Sequence, residues 1–122
     1  MAGILMSSIS NVAAPRTRGS AASGNLYAFT SFTFTNANTS GNTGPNLSTL
    51  LANYNTVTYP WLSNASYFTV SNGIQTWTVP ATGTYRIVAK GAQGAPYSNT
   101  AGGVGAVIQG DFSLTQGETI NI

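Results

Sequence analysis

A chain of 122 residues corresponds to one domain with room for a modest hydrophobic core. Only 5% of its residues are charged, against roughly a quarter in ordinary soluble domains, and the net charge is +2. Without histidine or cysteine the chain cannot form a disulfide, a thiolate metal site or a histidine-based catalytic triad, and four cationic residues are too few for a nucleic-acid-binding stripe.

Residues 1–24 form a distinct N-terminal segment with a short apolar start, followed by small residues, Pro and Arg. The apolar run is too short for a signal peptide or a membrane-spanning helix. One interpretation is a disordered terminus, which is usual at chain ends. The interpretation we adopt is an extended arm that docks onto a partner, with apolar anchors and with guanidinium groups that meet the partner's carboxylates. The residues predicted to dock are Ile4, Leu5, Met6, Arg16 and Arg18.

A β-sandwich domain is expected to occupy residues 25–122. Aromatic residues alternate with small polar ones over residues 26–35, which predicts a strand with Phe32 and Phe34 on its buried face. The one convincing helical pattern follows Asn46, a residue suited to an N-cap. The apolar residues at helical spacing there are Leu47, Leu50, Leu51 and Tyr54.

The second half of the chain has the pattern of further antiparallel strands. Asn72 and Gly73 lie between strand-like runs and predict a tight hairpin turn. The glycine-rich stretch 91–105 is predicted to be flexible and without regular pairing. Because the sequence ends within a strand-like run, we expect the sandwich to continue in a longer polypeptide or to be completed by other subunits. The strands are predicted over residues 74–79, 84–90, 104–114 and 119–122.

Aromatic side chains cluster between residues 59 and 68. Trp and Tyr are enriched both in hydrophobic cores and in subunit interfaces. We therefore expect this cluster in the core and at a subunit interface, with stacking on a sugar as the alternative. The residues predicted to make subunit contacts are Tyr59, Trp61, Tyr67 and Phe68.

Candidates for catalysis are few. General acid–base chemistry needs two tunable groups in one pocket. The two acidic residues, Asp111 and Glu118, are predicted on an outward strand position and in a turn. We therefore expect no enzymatic activity, no catalytic residue, no metal site and no cofactor.

Several motifs resemble the glycine-rich domain family, which occurs in the ectodomain of the anaplastic lymphoma kinase receptor and in phage and bacterial surface proteins. Residues 73–94 contain Gln-x-Trp-x-Val-Pro, Thr-Gly-Thr-Tyr and Gly-Ala-Gln-Gly, and residues 102–118 contain Gly-Gly-x-Gly-Ala and Phe-Ser-Leu-Thr-x-Gly-Glu. Residues 32–37 and 44–48 look like the segment that precedes this domain in phage tail-fibre and other virion proteins. The resemblance implies a jelly-roll-like antiparallel β-sandwich of the tumour-necrosis-factor-like type, often trimeric, although the glycine tract here is shorter than in the family.

A chain with so few charges has little long-range repulsion from its neighbours, which suits permanent assembly. Together with the resemblance, this predicts a bacteriophage virion structural protein, a tail or baseplate fibre component that forms a homo-oligomer, a trimer by analogy, for host attachment. The alternatives are a capsid-associated decoration or fibre protein and a carbohydrate- or receptor-binding module. The expected partners are its own copies, other virion proteins and a host surface glycan, without nucleic-acid binding or membrane insertion.

Overall fold

The computed structural model describes residues 4–11 and 24–122. In these ranges the protein has seven strands, one α-helix and one 3-10 helix of a single turn. The strands are β1 (Ile4–Asn11), β2 (Ser31–Thr35), β3 (Phe68–Ser71), β4 (Ile74–Thr78), β5 (Gly83–Gly91), β6 (Val107–Leu114) and β7 (Thr119–Asn121); the helices are α1 (Leu47–Asn53) and the 3-10 helix Pro60–Ser63.

All strands pair antiparallel, in one four-stranded sheet with the order β2-β1-β5-β6 and one three-stranded sheet with the order β3-β4-β7. The predicted all-β class with antiparallel sheets and one short α-helix is therefore confirmed. The jelly-roll connectivity stays a prediction. Among the described residues there is no helix with the length and apolar character needed to cross a membrane.

The core lies between the two sheets and is largely aromatic. Phe34 of β2 stacks near Phe68 of β3 with ring centroids 6.4 Å apart, and Trp77 of β4 lies edge-on to Tyr85 of β5 at 5.7 Å. Each such ring contributes about 1.5–3 kcal/mol by leaving water. The largest fully buried side chains are Trp77, Tyr85, Phe34, Phe68, Ile9, Leu50, Leu62 and Val79.

Two locally encoded elements form where the sequence predicts them. Helix α1 begins after Asn46, whose side-chain oxygen accepts the Thr49 N–H at 2.9 Å, and its Leu50 is fully buried. Asn72 and Gly73 join β3 to β4 with φ angles of 49° and 79°, as a two-residue hairpin of the primed type requires. The predicted helix and hairpin are both confirmed.

The first predicted strand is shorter than expected. Phe32 and Phe34 are buried as predicted, but β2 begins only at Ser31. The preceding residues bond to the end of β4 and to the segment just after it instead. Leu26 donates its N–H to the Pro80 carbonyl, and the Tyr27 hydroxyl donates to the Thr78 carbonyl. These tertiary bonds override the local strand pattern.

The N-terminal segment differs most from its prediction. Strand β1 lies inside the first sheet, where Ile9 is opposite Phe32 of β2 and Ile87 of β5. Residues 4–11 are therefore an inner strand of the sandwich and not an arm that extends from it, so the predicted domain start at residue 25 is wrong. The run is rich in serine and therefore lacks a clear apolar strand pattern, although Ile9 is fully buried.

Candidate functional site

Two of the four aromatic residues predicted to make subunit contacts belong to the core of a single chain. Trp61 is 4% exposed and Phe68 is 1% exposed, and their rings pack edge-to-face at 6.2 Å. They cannot reach a second subunit, so the prediction is wrong for both. Tyr59 and Tyr67 are half-buried and keep an exposed part. The 3-10 helix turns Trp61 inward, which the spacing of aromatics in the sequence does not show.

The five residues predicted to dock onto a particle divide into two groups. Ile4, Leu5 and Met6 belong to β1, and Met6 is paired with Thr35 on one side and Lys90 on the other. Their backbone is thus committed to the sheet. The predicted contacts of Arg16 and Arg18 lie outside the described residues.

An exposed apolar surface follows the edge strand β6. This strand is eight residues long, and it ends the described sheet with β5 as its neighbour. Ile108 and Phe112 lie on the same face of β6 and are 68% and 50% exposed, and we call these two residues the β6 surface. Phe112 is opposite the buried Tyr85, so its side chain lies on the face of the first sheet that carries the core. The second sheet does not extend over Phe112, and this side chain therefore stays half exposed.

One ion pair fixes β6 against β5 on the other face. Arg86 and Asp111 are directly opposite each other in register, and the guanidinium binds both carboxylate oxygens at 2.9 and 3.1 Å. These bonds hold the pKa of the Asp111 carboxyl below its usual range and raise the pKa of Arg86. Glu118 accepts the Thr115 N–H at 2.5 Å in the following turn. Both acidic side chains of the chain therefore have structural partners.

Residues 91–106 leave the sheet and return as two paired legs, which we call the glycine projection. Gly91 and Gly94 donate their N–H groups to the carbonyls of Ala106 and Gly103, each at 2.8 Å, and the Tyr97 N–H donates to Thr100 at 3.1 Å. Bonds at every third residue match the repeat of a polyproline II helix. The predicted absence of regular pairing is therefore wrong for this stretch.

Glycine is required at every third position of the returning leg. A Cβ on Gly102 would overlap the Gly94 carbonyl oxygen, and one on Gly105 would overlap the Gly91 carbonyl oxygen. Gly103 faces open space. The two legs thus approach backbone to backbone, and the apolar side chains on them stay in solvent. Tyr97 and Val104 are 85% and 88% exposed.

Within residues 4–11 and 24–122, no group of three or more His, Cys, Asp or Glu side chains could hold a metal ion. Comparison with protein-family models, with curated proteins and with solved structures finds no match to this chain. The resemblance to the glycine-rich domain family therefore stays a prediction from its motifs.

Proposed function

We propose that this chain is a structural protein of a bacteriophage virion, a tail or baseplate fibre component that assembles with copies of itself and serves host attachment. The observation that carries the proposal is the β6 surface. A long edge strand with unpaired backbone groups and apolar side chains is a template for another chain. Monomeric proteins protect such edges with charge or proline. The one charged residue of β6, Asp111, is instead bound to Arg86.

The charge of the chain supports lasting self-association. A net charge of +2 on 122 residues gives weak repulsion between copies, and no charged side chain lies between Gly19 and Tyr85. In a closed cyclic oligomer, the β6 edge of each copy is covered by a neighbouring copy. An isolated chain leaves this edge exposed. The resemblance to the glycine-rich domain family favours a trimer.

Sedimentation velocity of the purified chain tests the assembly. We expect an oligomer for the wild type and a monomer for Ile108→Lys, because a charge at a sheet edge opposes strand pairing. Val57→Lys is the matched control, since Val57 is 90% exposed and lies outside the β6 surface. A wild type that stays monomeric at high concentration would contradict the proposal. So would equal behaviour of the two lysine variants.

Docking onto the particle is proposed through Arg16 and Arg18, whose guanidinium groups suit carboxylates of a partner. A deletion of the N-terminus would remove β1 and would test folding instead. The double variant Arg16→Ser and Arg18→Ser keeps the strand. We expect it to form the oligomer but to be lost from assembled particles, as measured by immunoblotting of purified virions. Lys90→Ser, an exposed cation of β5, is the control. Normal incorporation of the double variant would overturn this docking role.

A further inference from the structure

A groove of about 560 Å³ lies beside β2, on the side away from β1. Its walls are β2 with the turn after it, and the end of α1 with the loop that follows. The volume falls within the range of small-molecule sites, roughly 300–1,000 Å³. None of the residues that line the groove is charged. The groove therefore offers no countercharge to an ionised ligand, which favours a neutral one.

Backbone bonds fix the orientation of two amides in the groove wall. Asn53 donates from Nδ2 to the Thr49 carbonyl at 2.8 Å, which leaves its Oδ1 as an acceptor. Asn55 accepts the N–H groups of Val57 and Thr58 at its Oδ1, at 3.1 and 3.0 Å, which leaves its Nδ2 as a donor. One acceptor and one donor, two residues apart, suit neighbouring hydroxyl groups, each of which donates and accepts.

Aromatic rings supply the apolar part of the wall. Tyr59 is half-buried and packs edge-on to Phe32 with ring centroids 4.9 Å apart. Tyr54 packs edge-on to the same Phe32 ring at 4.9 Å. Tyr59 is therefore held in place by the core while part of it stays in contact with solvent. Such a ring covers the C–H groups of a ligand whose hydroxyls bind the amides.

The β2 edge contributes backbone groups but has no room for a peptide strand. Thr35 directs its N–H and C=O away from β1, where the Tyr54 hydroxyl and the Gln75 amide bind them. Because these directions alternate along an antiparallel strand, the N–H and C=O of Thr33 face the same edge. Thr33 lines the groove, and Tyr54 closes the edge after it. A ligand can use Thr33, but an extended peptide cannot continue the pairing.

We propose that this groove binds a short neutral saccharide. Fixed amide groups, a half-buried tyrosine, a Thr33 backbone pair with no partner among the described residues, and uncharged walls together match a ligand made of hydroxyls and C–H faces. The inference rests on the attachment role proposed above and names its ligand class. It places recognition at Asn53, Asn55 and Tyr59 and not at Trp61, which is buried in the core.

The test uses the purified chain on an array of neutral oligosaccharides of glucose, galactose, mannose and N-acetylglucosamine, followed by NMR titration with the saccharides that bind. We expect saturable shifts of the Asn53 and Asn55 amides. Asn55→Asp keeps the acceptor for the turn, removes the Nδ2 donor and adds one negative charge. It should weaken binding about tenfold, the effect of one lost hydrogen bond.

Asn64→Asp is the matched control. Asn64 likewise accepts a backbone N–H, from Ser66 at 2.9 Å, and it does not line the groove. We expect unchanged binding, since this variant adds the same charge. The inference fails if no saccharide on the array binds, if shifts map elsewhere, if both variants weaken binding equally, or if only peptides bind. Oligomer formation and particle incorporation are measured separately, so either proposal can fail alone.

Discussion

The Tyr54 hydroxyl lies 2.8 Å from Gln75 Oε1 and links the end of α1 to β4 in the second sheet. Gln75 Nε2 donates to the Thr35 carbonyl at 2.8 Å, and the Thr35 N–H donates to the Tyr54 oxygen at 2.7 Å. Gln75 is 5% exposed, yet its amide is satisfied at both ends. This network joins helix, first sheet and second sheet at one wall of the groove.

Gln75→Leu should lower the free energy of unfolding by about 1–3 kcal/mol, because it removes the two hydrogen bonds that the Gln75 amide makes near the core, to the Thr35 carbonyl and the Tyr54 hydroxyl. Denaturant unfolding followed by circular dichroism measures the change. Gln93→Leu is the control, since its amide makes one exposed bond to Gly102. It should change the free energy by less than about 0.5 kcal/mol. Equal effects of the two variants would show that the network is not stabilising.

Gly105→Ala should separate the two legs of the glycine projection, because its Cβ would overlap the Gly91 carbonyl oxygen. We expect faster hydrogen exchange at the Gly91 and Gly94 amides, and a loss of about 1–3 kcal/mol from crowding. Gly103→Ala has open space for its Cβ and should leave exchange unchanged. Protection that persists in Gly105→Ala would mean that the legs tolerate a wider separation.

The hairpin turn at Gly73 packs against the backbone of Thr43 and Gly44. Gly73 is therefore required both for its positive φ and for this close contact. Its φ is +79°, and a Cβ would overlap the Thr43 carbonyl oxygen and lie 2.9 Å from the Gly44 Cα. Gly41 also has a positive φ, +104°, but faces open space. Gly41→Ala should therefore cost about 1–2 kcal/mol from backbone strain alone, and Gly73→Ala should cost more. Thermal unfolding of both variants decides this, and a larger loss in Gly41→Ala would contradict the packing.

Tyr27, Tyr54 and Tyr85 should make the stability of the fold depend on alkaline pH. Burial raises the pKa of Tyr27, Tyr54 and Tyr85 in the folded state, whereas an unfolded tyrosine has a pKa of about 10. Above that pH the unfolded chain loses protons that the folded chain keeps. The contribution of these three tyrosines to the free energy of unfolding should therefore be constant below about pH 9 and should fall as the pH rises further.

Tyr27→Phe tests the alkaline dependence, because it removes one group with a raised pKa. Unfolding in denaturant between pH 7 and pH 11.5 should show a shallower decline for the variant than for the wild type. Its stability at neutral pH is expected to be lower, since the bond to the Thr78 carbonyl is lost. An unchanged alkaline slope would contradict the role of Tyr27.

Short-range patterns determined what could be predicted from the sequence. The cap at Asn46, the turn at Asn72 and the buried alternation of Phe32 and Phe34 each depend on a few neighbouring residues. Strand β1 escaped prediction because its pattern is weak and its partners in β2 and β5 are distant in the chain. Likewise, composition could not separate the buried Trp61 from the half-buried Tyr59.

The candidate sites were harder to predict from sequence patterns than the helix and the hairpin. The groove is formed partly by Asn53 and Asn55, whose spacing is visible in the sequence. Its other wall is the edge of β2, which lies beside these residues only in the folded chain. The β6 surface depends on how far the second sheet extends over the first. The apolar alternation of Ile108 and Phe112 is visible in the sequence, but their exposure is not.

The position of β1 in the middle of its sheet has a consequence for biosynthesis. Phe32, one partner of Ile9, follows it closely in the chain, but the other partner, Ile87, emerges from the ribosome much later. Contacts between distant parts of a chain form slowly, and an open strand edge invites wrong association in the meantime. Recovery of native protein should therefore improve when chains refold at high dilution, because the unpaired edge of β1 then encounters few other chains.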